Sequence, residues 1–449
     1  MKIYFIGIGG IGMSALARYY LNQGHRIEGS DLAKSEITDD LAAEGIKIYL
    51  GSHNKNRITK KIELVIYSAA VDAKNPELEK AKKLGIPAKK YAEALGEITK
   101  EYYTICVAGA HGKSTTTAML SLVLIKAGYA PAVILGTKLK EFGNSNFFQG
   151  GREPIKGFKK PLLVLEADEW QASFLNYHPE AAIITNIEEE HLDYYRNFSH
   201  ILSTFRKFIK LIKPDGILVL NQDDKGIGEL KPKKIRFDIK KYFYSLKQSE
   251  TTKLKRILGI PGQHNVSNAL SVLAMAHALG IKDRLVFQVL KSYVGAWRRF
   301  EVSQKNIQGK KVTVINDYGH HPTEVKATIR AAKEKFGSRT LWTIFQPHQQ
   351  QRTHHLFKDF ISAFDATDQL ILSDIYEVIG REQTKRYVTS RELALAIKKY
   401  WQKNYPQKNV KHLSSFQVIL NYLKKHLKEN DILLIMGAGD IWKLDKMLC

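Results

Sequence analysis

Short apolar runs recur along the chain, and most are followed by a stretch whose apolar residues return every three or four positions. The first run, Ile3 to Gly7, leads into a helical pattern over Met13 to Gln23, with Leu16, Ala17 and Tyr20 on its apolar face. Strands are also predicted at Arg26 to Gly29 and Leu64 to Tyr67. Farther along, Tyr103 to Val107, Leu162 to Glu166, Ala181 to Asn186 and Gly216 to Asn221 form a second group. Val312 to Asp317, Leu341 to Phe345, Leu370 to Ser373 and Ile432 to Met436 form a third, with a helix opening at Pro322, a favoured first helical position. Strands alternating with helices predict parallel sheets covered by helices. The expected fold class is therefore α/β, in three domains spanning 1–100, 101–293 and 294–449.

Length and composition narrow this picture. A chain of 449 residues with a 44% hydrophobic fraction has material for three ordinary cores. No repeat or low-complexity segment interrupts it, and no apolar stretch approaches the roughly 20 residues of a membrane span. The N-terminus enters a strand directly, so no signal peptide is expected. The only cysteines, Cys106 and Cys449, exclude a disulfide framework and suit a reducing, cytoplasmic setting. The net charge of +24 is carried by widely spread lysines, such as Lys60-Lys61 and Lys231 to Lys234. It reads first as a solvated surface and then as a general attraction for anionic substrates. No arginine stripe with interleaved aromatics appears, so no nucleic-acid partner is expected.

The most specific chemistry lies between the strand ending at Val107 and the helical pattern through Met119, Leu120 and Val123. The connecting segment, Gly109-Ala110-His111-Gly112-Lys113-Ser114-Thr115, is a glycine-rich turn that opens a helix. Such a turn presents backbone N–H groups to a phosphate at the helix N-terminus. Lys113 adds a point charge for terminal phosphates, and Ser114 a hydroxyl for Mg²⁺. ATP or GTP is the expected ligand. Only two residues separate Gly109 from Gly112, fewer than in the common phosphate loop.

Gly7-Ile8-Gly9-Gly10-Ile11-Gly12 fits a second diphosphate loop, with Asp31 near the usual position of a ribose-binding acid. The glycines admit NAD, FAD or a nucleotide sugar. A hydride-transfer reading leaves the Lys113 loop unexplained, which favours a UDP-type ligand. Glu166 and His191 stand at or just beyond strand ends, where ligands of open α/β sheets bind, and are candidate metal ligands. Asn265 and Asn268 share a helix face; their amides suit reading a base edge or capping that helix, and the two roles are compatible. The tandem His320-His321 and the Gln346 to Arg352 segment lack the neighbours of a zinc site and point to substrate contacts or local hydrogen bonds.

Taken together these segments resemble the Mur ligase family of peptidoglycan synthesis, over the whole chain. The resemblance rests on FIGIGGIGMSALA at Phe5 to Ala17, AGAHGKSTTT at Ala108 to Thr117, EADE at Glu166 to Glu169 and TNIEEEHLD at Thr185 to Asp193. It continues in GQHNVSNAL at Gly262 to Leu270, WRRFE at Trp297 to Glu301 and GAGDIW at Gly437 to Trp442. DYGHHPTEV at Asp317 to Val325, with FQPHQQQRT at Phe345 to Thr353, is similar to the alanine-adding branch.

The resemblance implies an N-terminal Rossmann-like domain, a central P-loop ATPase-like parallel sheet and a C-terminal Rossmann-like domain. It implies an ATP-dependent ligase that forms an amide between UDP-N-acetylmuramate and L-alanine through an acyl phosphate. Gly7, Gly9, Gly10, Ile11, Gly12, Asp31 and Ser68 would hold the UDP-sugar. ATP would meet Gly109, His111, Gly112, Lys113, Ser114, Thr115, Asn265, Asn268, Arg299 and Asp317. Of these, Asn268 would touch adenine, Arg299 the γ-phosphate and Asp317 the ribose. Ser114, Glu166 and His191 would bind Mg²⁺, and Lys113, His191 and Arg299 would be catalytic. Tyr318, His320, His348 and Arg352 would line the alanine pocket. The expected partners are small molecules, and the expected state is a monomer or homodimer.

The chain departs from the family at Ala110 and Ser114, each standing for a usual Thr, and at Gln349, standing for a usual Arg. An arginine there would help clamp the amino-acid carboxylate. Losing one charged hydrogen bond costs roughly 1.5–3 kcal/mol, so a weaker Michaelis constant or an altered amino-acid choice is expected. A different acceptor, such as glycine, L-serine or a peptide, is the alternative. Phe205 falls where some sibling ligases carry a carbamylated lysine, so that modification is not expected. A non-enzymatic, nucleotide-dependent regulatory role is the remaining reading.

Overall fold

The apolar runs fold as the inner strands of three sheets. The computed structural model describes residues 1–155, 157–191, 194–235, 238–377 and 387–448. The first sheet holds β1 (Lys2–Ile6), β2 (Arg26–Asp31), β3 (Lys47–Leu50), β4 (Leu64–Tyr67) and β5 (Ala88–Lys90), in the order β3-β2-β1-β4-β5. All its pairings are parallel. The second holds β6 (Tyr103–Ala108), β7 (Ala132–Leu139), β8 (Ser145–Phe148), β9 (Leu162–Glu166), β10 (Ala181–Ile184), β11 (Ile217–Asn221) and β12 (Lys240–Tyr244). Its order is β12-β11-β10-β6-β9-β7-β8. The third holds β13 (Glu301–Ile307), β14 (Lys310–Asp317), β15 (Leu341–Phe345), β16 (Gln369–Leu372), β17 (Asn409–His412) and β18 (Ile432–Met436), in the order β13-β14-β18-β15-β16-β17.

The inner strands β6, β10, β15 and β18 are buried almost throughout, because helices cover both sheet faces. Each fully buried Val, Leu or Ile in them contributes roughly 1.5–3 kcal/mol. Two edges depart from the all-parallel expectation: β7 pairs antiparallel with β8, and β13 with β14. Both are consecutive strands joined by short turns, and a short turn can only join antiparallel neighbours.

Contacts divide the chain into two compact units, one of Met1–Leu254 with Ser267–Lys291 and the other of Lys255–Val266 with Ser292–Cys449. The first unit holds the first two sheets and the second holds the third. Within the first unit, the helix Ile11–Asn22 packs on β7 and β8. No helix among the described residues is long and apolar enough to cross a membrane. Cys106 is a buried free thiol, and Cys449 lies outside the described residues.

Candidate active site

The first loop turns over the carboxyl ends of β1, β2 and β4. Gly7 and Ile8 donate their N–H groups to the Ser30 carbonyl at 2.8 and 3.1 Å. Gly9 donates to Asp31 Oδ2 at 2.8 Å. These three donors are spent within the fold, so Asp31 acts as a strut of the loop. Gly10 caps the helix Ile11–Asn22, whose first N–H groups, from Ile11 and Gly12 on, have no intrahelical acceptor. Those donors, at the positive end of the helix dipole, are the ones suited to a diphosphate. Ser68 lies directly under Gly7, where an added Cβ would come within 3.1 Å of the serine's own. At Gly12 a Cβ would press on the Tyr91 ring at 2.9 Å. The structure thus gathers Gly7, Gly9, Gly10, Ile11, Gly12, Asp31 and Ser68 around one loop.

The second loop follows β6. Gly109 and Gly112 have φ of +133° and +82°, and a Cβ on Gly112 would stand 2.4 Å from Asn268 Oδ1. Asn268 therefore abuts the phosphate loop. The backbone of His111 is held by Asn186, whose Oδ1 accepts its N–H at 2.8 Å and whose Nδ2 donates to its carbonyl at 2.9 Å. Gly112 is the cap of the helix Lys113–Lys126, which Thr115 enters as a buried residue.

Lys113 Nζ donates to the Gly109 carbonyl at 2.6 Å and to Glu169 at 2.9 and 3.2 Å. Burial opposes its charge. The carboxylates of Glu169, Asp168 and Glu166 outweigh burial and hold its pKa above the ordinary lysine value. Ser114 Oγ donates to Glu166 Oε2 at 3.0 Å, and the Gly136 N–H of β7 donates to Glu166 Oε1 at 2.6 Å. A hydroxyl beside a carboxylate, both oxygen donors at the mouth of a phosphate loop, suits Mg²⁺.

His191, at φ +56°, stands with Nε2 3.7 Å from Glu169 Oε1. Asp168, Glu169 and His191 bring their ligand atoms within 4.8 Å of one another. The expected metal set is thus seen as two neighbouring groups, Ser114 with Glu166 and His191 with Glu169 and Asp168. Leu192 and Asp193, which close the TNIEEEHLD segment, lie outside the described residues.

The helix after the second unit's Gly262 begins at Gln263, so Asn265 and Asn268 lie inside its first two turns. This corrects the capping alternative. Asn265 instead donates from Nδ2 to the Pro261 carbonyl at 2.6 Å.

In the C-terminal unit, Tyr318, His320 and His348 form a chain of rings. Tyr318 and His320 meet edge-on, with centroids 5.6 Å apart, as are those of His320 and His348. Arg352 Nη1 lies 3.0 Å from His348 Nδ1. The guanidiniums of Arg298 and Arg299 both lie 4.9 Å from the Tyr318 ring centre. The tandem histidines separate in role. His321 accepts the Thr323 N–H and caps the helix Pro322–Phe336, while His320 faces the ring chain. Among the described residues neither His320 nor His348 belongs to a metal-binding cluster.

Asp317, at the end of β14, accepts the N–H groups of Phe300 at 2.9 Å and Gly319 at 2.8 Å. Its carboxyl thereby ties the Arg299 segment to the Tyr318 loop. Burial raises its pKa, and Arg299 with the two N–H donors opposes the rise.

Four residues at these sites were not singled out by the sequence reading. Glu169 and Asp168 belong to EADE, but Glu169's partners Lys113 and His191 lie far along the chain. Arg298 is buried, with its pKa pushed down to about 10 by desolvation, and its Nη2 donates to the carbonyls of Gly437 and Gly439. Tyr376 stacks on His348 at 5.6 Å and pairs with it in an isolated parallel bridge; its only sequence signal is an aromatic shortly after the end of β16.

The two glycine loops at carboxyl strand ends define a nucleotide-binding α/β protein. Three family models match in succession: the Mur ligase family catalytic domain over 2–103, the Mur ligase middle domain over 107–276 and the Mur ligase glutamate ligase domain over 298–439. The chain belongs to the Mur ligase family. It is similar to the UDP-N-acetylmuramate–L-alanine ligase of Clostridium novyi, at 38% identity over 99% of this chain and 96% of that protein. The Acetivibrio thermocellus protein of the same name is 39% identical over 99% of this chain and 95% of its own. Among solved structures, the UDP-N-acetylmuramate-alanine ligase of Thermotoga maritima matches with a TM-score of 0.80 and 26% identity, covering 100% of this chain and 98% of that one.

Proposed function

We propose that the chain is an ATP-dependent ligase that joins UDP-N-acetylmuramate to L-alanine. One observation carries this reading. A phosphate loop with Ser114 bonded to Glu166 stands in a chain matched along nearly its whole length by curated ligases of that name. In this reading residues 1–100 bind the UDP-sugar, 101–293 bind ATP and 294–449 bind the amino acid.

The muramoyl carboxylate attacks the γ-phosphorus of ATP, and ADP leaves, giving an acyl phosphate. The amine of alanine then attacks that carbonyl carbon. The tetrahedral intermediate collapses with loss of inorganic phosphate, and the amine gives up its proton. Both substrates of the first step are anions, so the site must supply positive charge. Lys113, kept protonated by its carboxylate neighbours, would supply part of it, and Arg299 is the second cation this reading assigns to the step. Mg²⁺ held by Ser114, Glu166 and His191 would add charge stabilisation on the transferring phosphoryl group. In this reading Asn268, which abuts Gly112, contacts the adenine, and Asp317 contacts the ribose. Tyr318, His320, His348 and Arg352 form the pocket for the amino acid, and Arg352 is the cation for its carboxylate.

A second reading, a ligase of this fold with another amino acid, is favoured by Gln349. It stands in for a clamping arginine, and its backbone is held at φ +65° by a bond to the Tyr376 carbonyl. One experiment separates the two. Phosphate release from ATP is followed with UDP-N-acetylmuramate and L-alanine, glycine, L-serine or no amino acid, and products are identified by mass. Release strongest with L-alanine, with one new amide, is expected. Preference for another acceptor would replace the substrate assignment, and no release with any acceptor would end the ligase reading.

A further inference from the structure

The β7–β8 hairpin touches both nucleotide loops. On β7, Gly136 N–H holds Glu166 at 2.6 Å, and Glu166 in turn accepts from Ser114 of the phosphate loop. Two residues on along the same strand lies Lys138. Its side chain is only 5% exposed, and Nζ binds Glu36 Oε1 at 2.7 Å and Asp40 Oδ2 at 2.5 Å. Those carboxylates are spaced i,i+4 on the helix Glu36–Ala43, so both point the same way. That helix is fixed at its start by a Ser35–Thr38 capping box. Thr38 also packs against the first glycine loop, since a Cβ on Gly9 would come within 2.9 Å of it.

The other strand of the hairpin makes a second grip. Asn146 Nδ2 donates to the Ile11 carbonyl at 2.6 Å and to Ser14 Oγ at 2.9 Å, and its Oδ1 accepts from Arg18 at 2.5 Å. Arg18 is bidentate to Glu44, just past the helix Glu36–Ala43. The helix that begins with the free diphosphate donors and the helix that walls the loop are therefore both tied to the hairpin that positions Glu166.

A buried lysine shared by two carboxylates is costly to keep unless both partners stay in place. Any movement of the helix Glu36–Ala43 when the first loop fills must be carried to Lys138 or break a pair with little water to replace it. We propose that Lys138 is a positioning residue that couples UDP-sugar occupancy of the Gly7–Gly12 loop to the geometry of Glu166, so that each nucleotide tightens the binding of the other. The inference rests on the assignment of ATP and a UDP-sugar to the two loops. It goes beyond that assignment in making the two affinities interdependent through one lysine.

Binding of a non-hydrolysable ATP analogue with Mg²⁺ to the full chain is measured by calorimetry, with and without saturating UDP-N-acetylmuramate. In the unmodified protein the analogue should bind on the order of 10-fold more tightly when the sugar nucleotide is present. In Lys138→Met, binding of each ligand alone should persist while that factor falls towards one. Glu36 and Asp40, each about a third exposed, can hydrate once the lysine is gone. Should the methionine variant fail to fold, Asp40→Asn, which leaves Lys138 paired with Glu36, should lower the factor part of the way. A full factor retained in these variants, or no factor in the unmodified protein, overturns the coupling. Failure of either ligand to bind alone to the unmodified protein would instead overturn the functional assignment, and the coupling with it.

Discussion

Lys113 serves the fold and the chemistry with the same three N–H bonds. Its ammonium closes the phosphate loop by binding the Gly109 carbonyl, and Glu169 holds it there. Lys113→Ala should lower turnover at least about 100-fold, as removal of one transition-state donor does. With ATP absent, affinity for UDP-N-acetylmuramate should stay within roughly threefold, since Lys113 makes no contact with the Gly7–Gly12 loop, which belongs to a separate sheet. Initial-rate kinetics and calorimetry on the same preparation check both, and normal turnover would remove Lys113 from the mechanism. Lys113, Ser114 and Glu166 were legible because local spacing alone defines a phosphate loop and a strand end. Glu169 as the lysine's counter-ion was not, because the pair is 56 residues apart in sequence. For the same reason nothing local marks Arg298 as the residue that ties Gly437 and Gly439 to Tyr318. Asp31 also supports the Gly9 N–H, a structural role that its place at the end of β2 does not announce by itself.

Elements were legible where burial is two-sided. Strands such as β6, β10 and β18 announce themselves as unbroken apolar runs, because no face meets water. The strands β3, β5, β12, β13 and β17 gave no such signal. They lie at sheet edges, and residues such as Lys47, Lys90 and Lys240 are exposed on them. Such segments become strands by pairing with a neighbour, a tertiary effect that outweighs their own propensity. The hairpin β7–β8 escaped notice in the same way. At this scale the helix Lys113–Lys126 yields a test. Gly112 begins it in the left-handed region, and a methyl group there would also collide with Asn268. A non-glycine residue in that conformation costs roughly 1–2 kcal/mol before the collision is counted. Gly112→Ala should therefore lower the melting temperature by a few degrees and weaken ATP binding at least about 10-fold. A variant with unchanged ATP affinity would show that the loop does not need this turn.

At the scale of the whole molecule, the net charge of +24 is the property no single site explains. Both proposed nucleotide ligands are polyanions, and a field of one sign raises the rate at which they arrive. Chemistry inside the site is shielded from added salt far better than approach through solvent is. The Debye length shrinks from about 10 Å at 0.1 M salt to about 3 Å at 1 M, which removes the field beyond the nearest side chains. The ligase reading therefore predicts that kcat/KM for UDP-N-acetylmuramate falls by roughly tenfold between dilute buffer and 0.5 M KCl, while kcat hardly changes. Steady-state rates over a salt series measure this directly. A flat kcat/KM would mean that the lysines only solvate the surface. A fall in kcat of the same size would mean that salt reaches the reacting groups themselves. Tight, salt-sensitive binding of duplex DNA with no turnover would return the chain to the regulatory reading. The charge alone is compatible with that reading, but the bond from Ser114 to Glu166 at the phosphate loop argues against it.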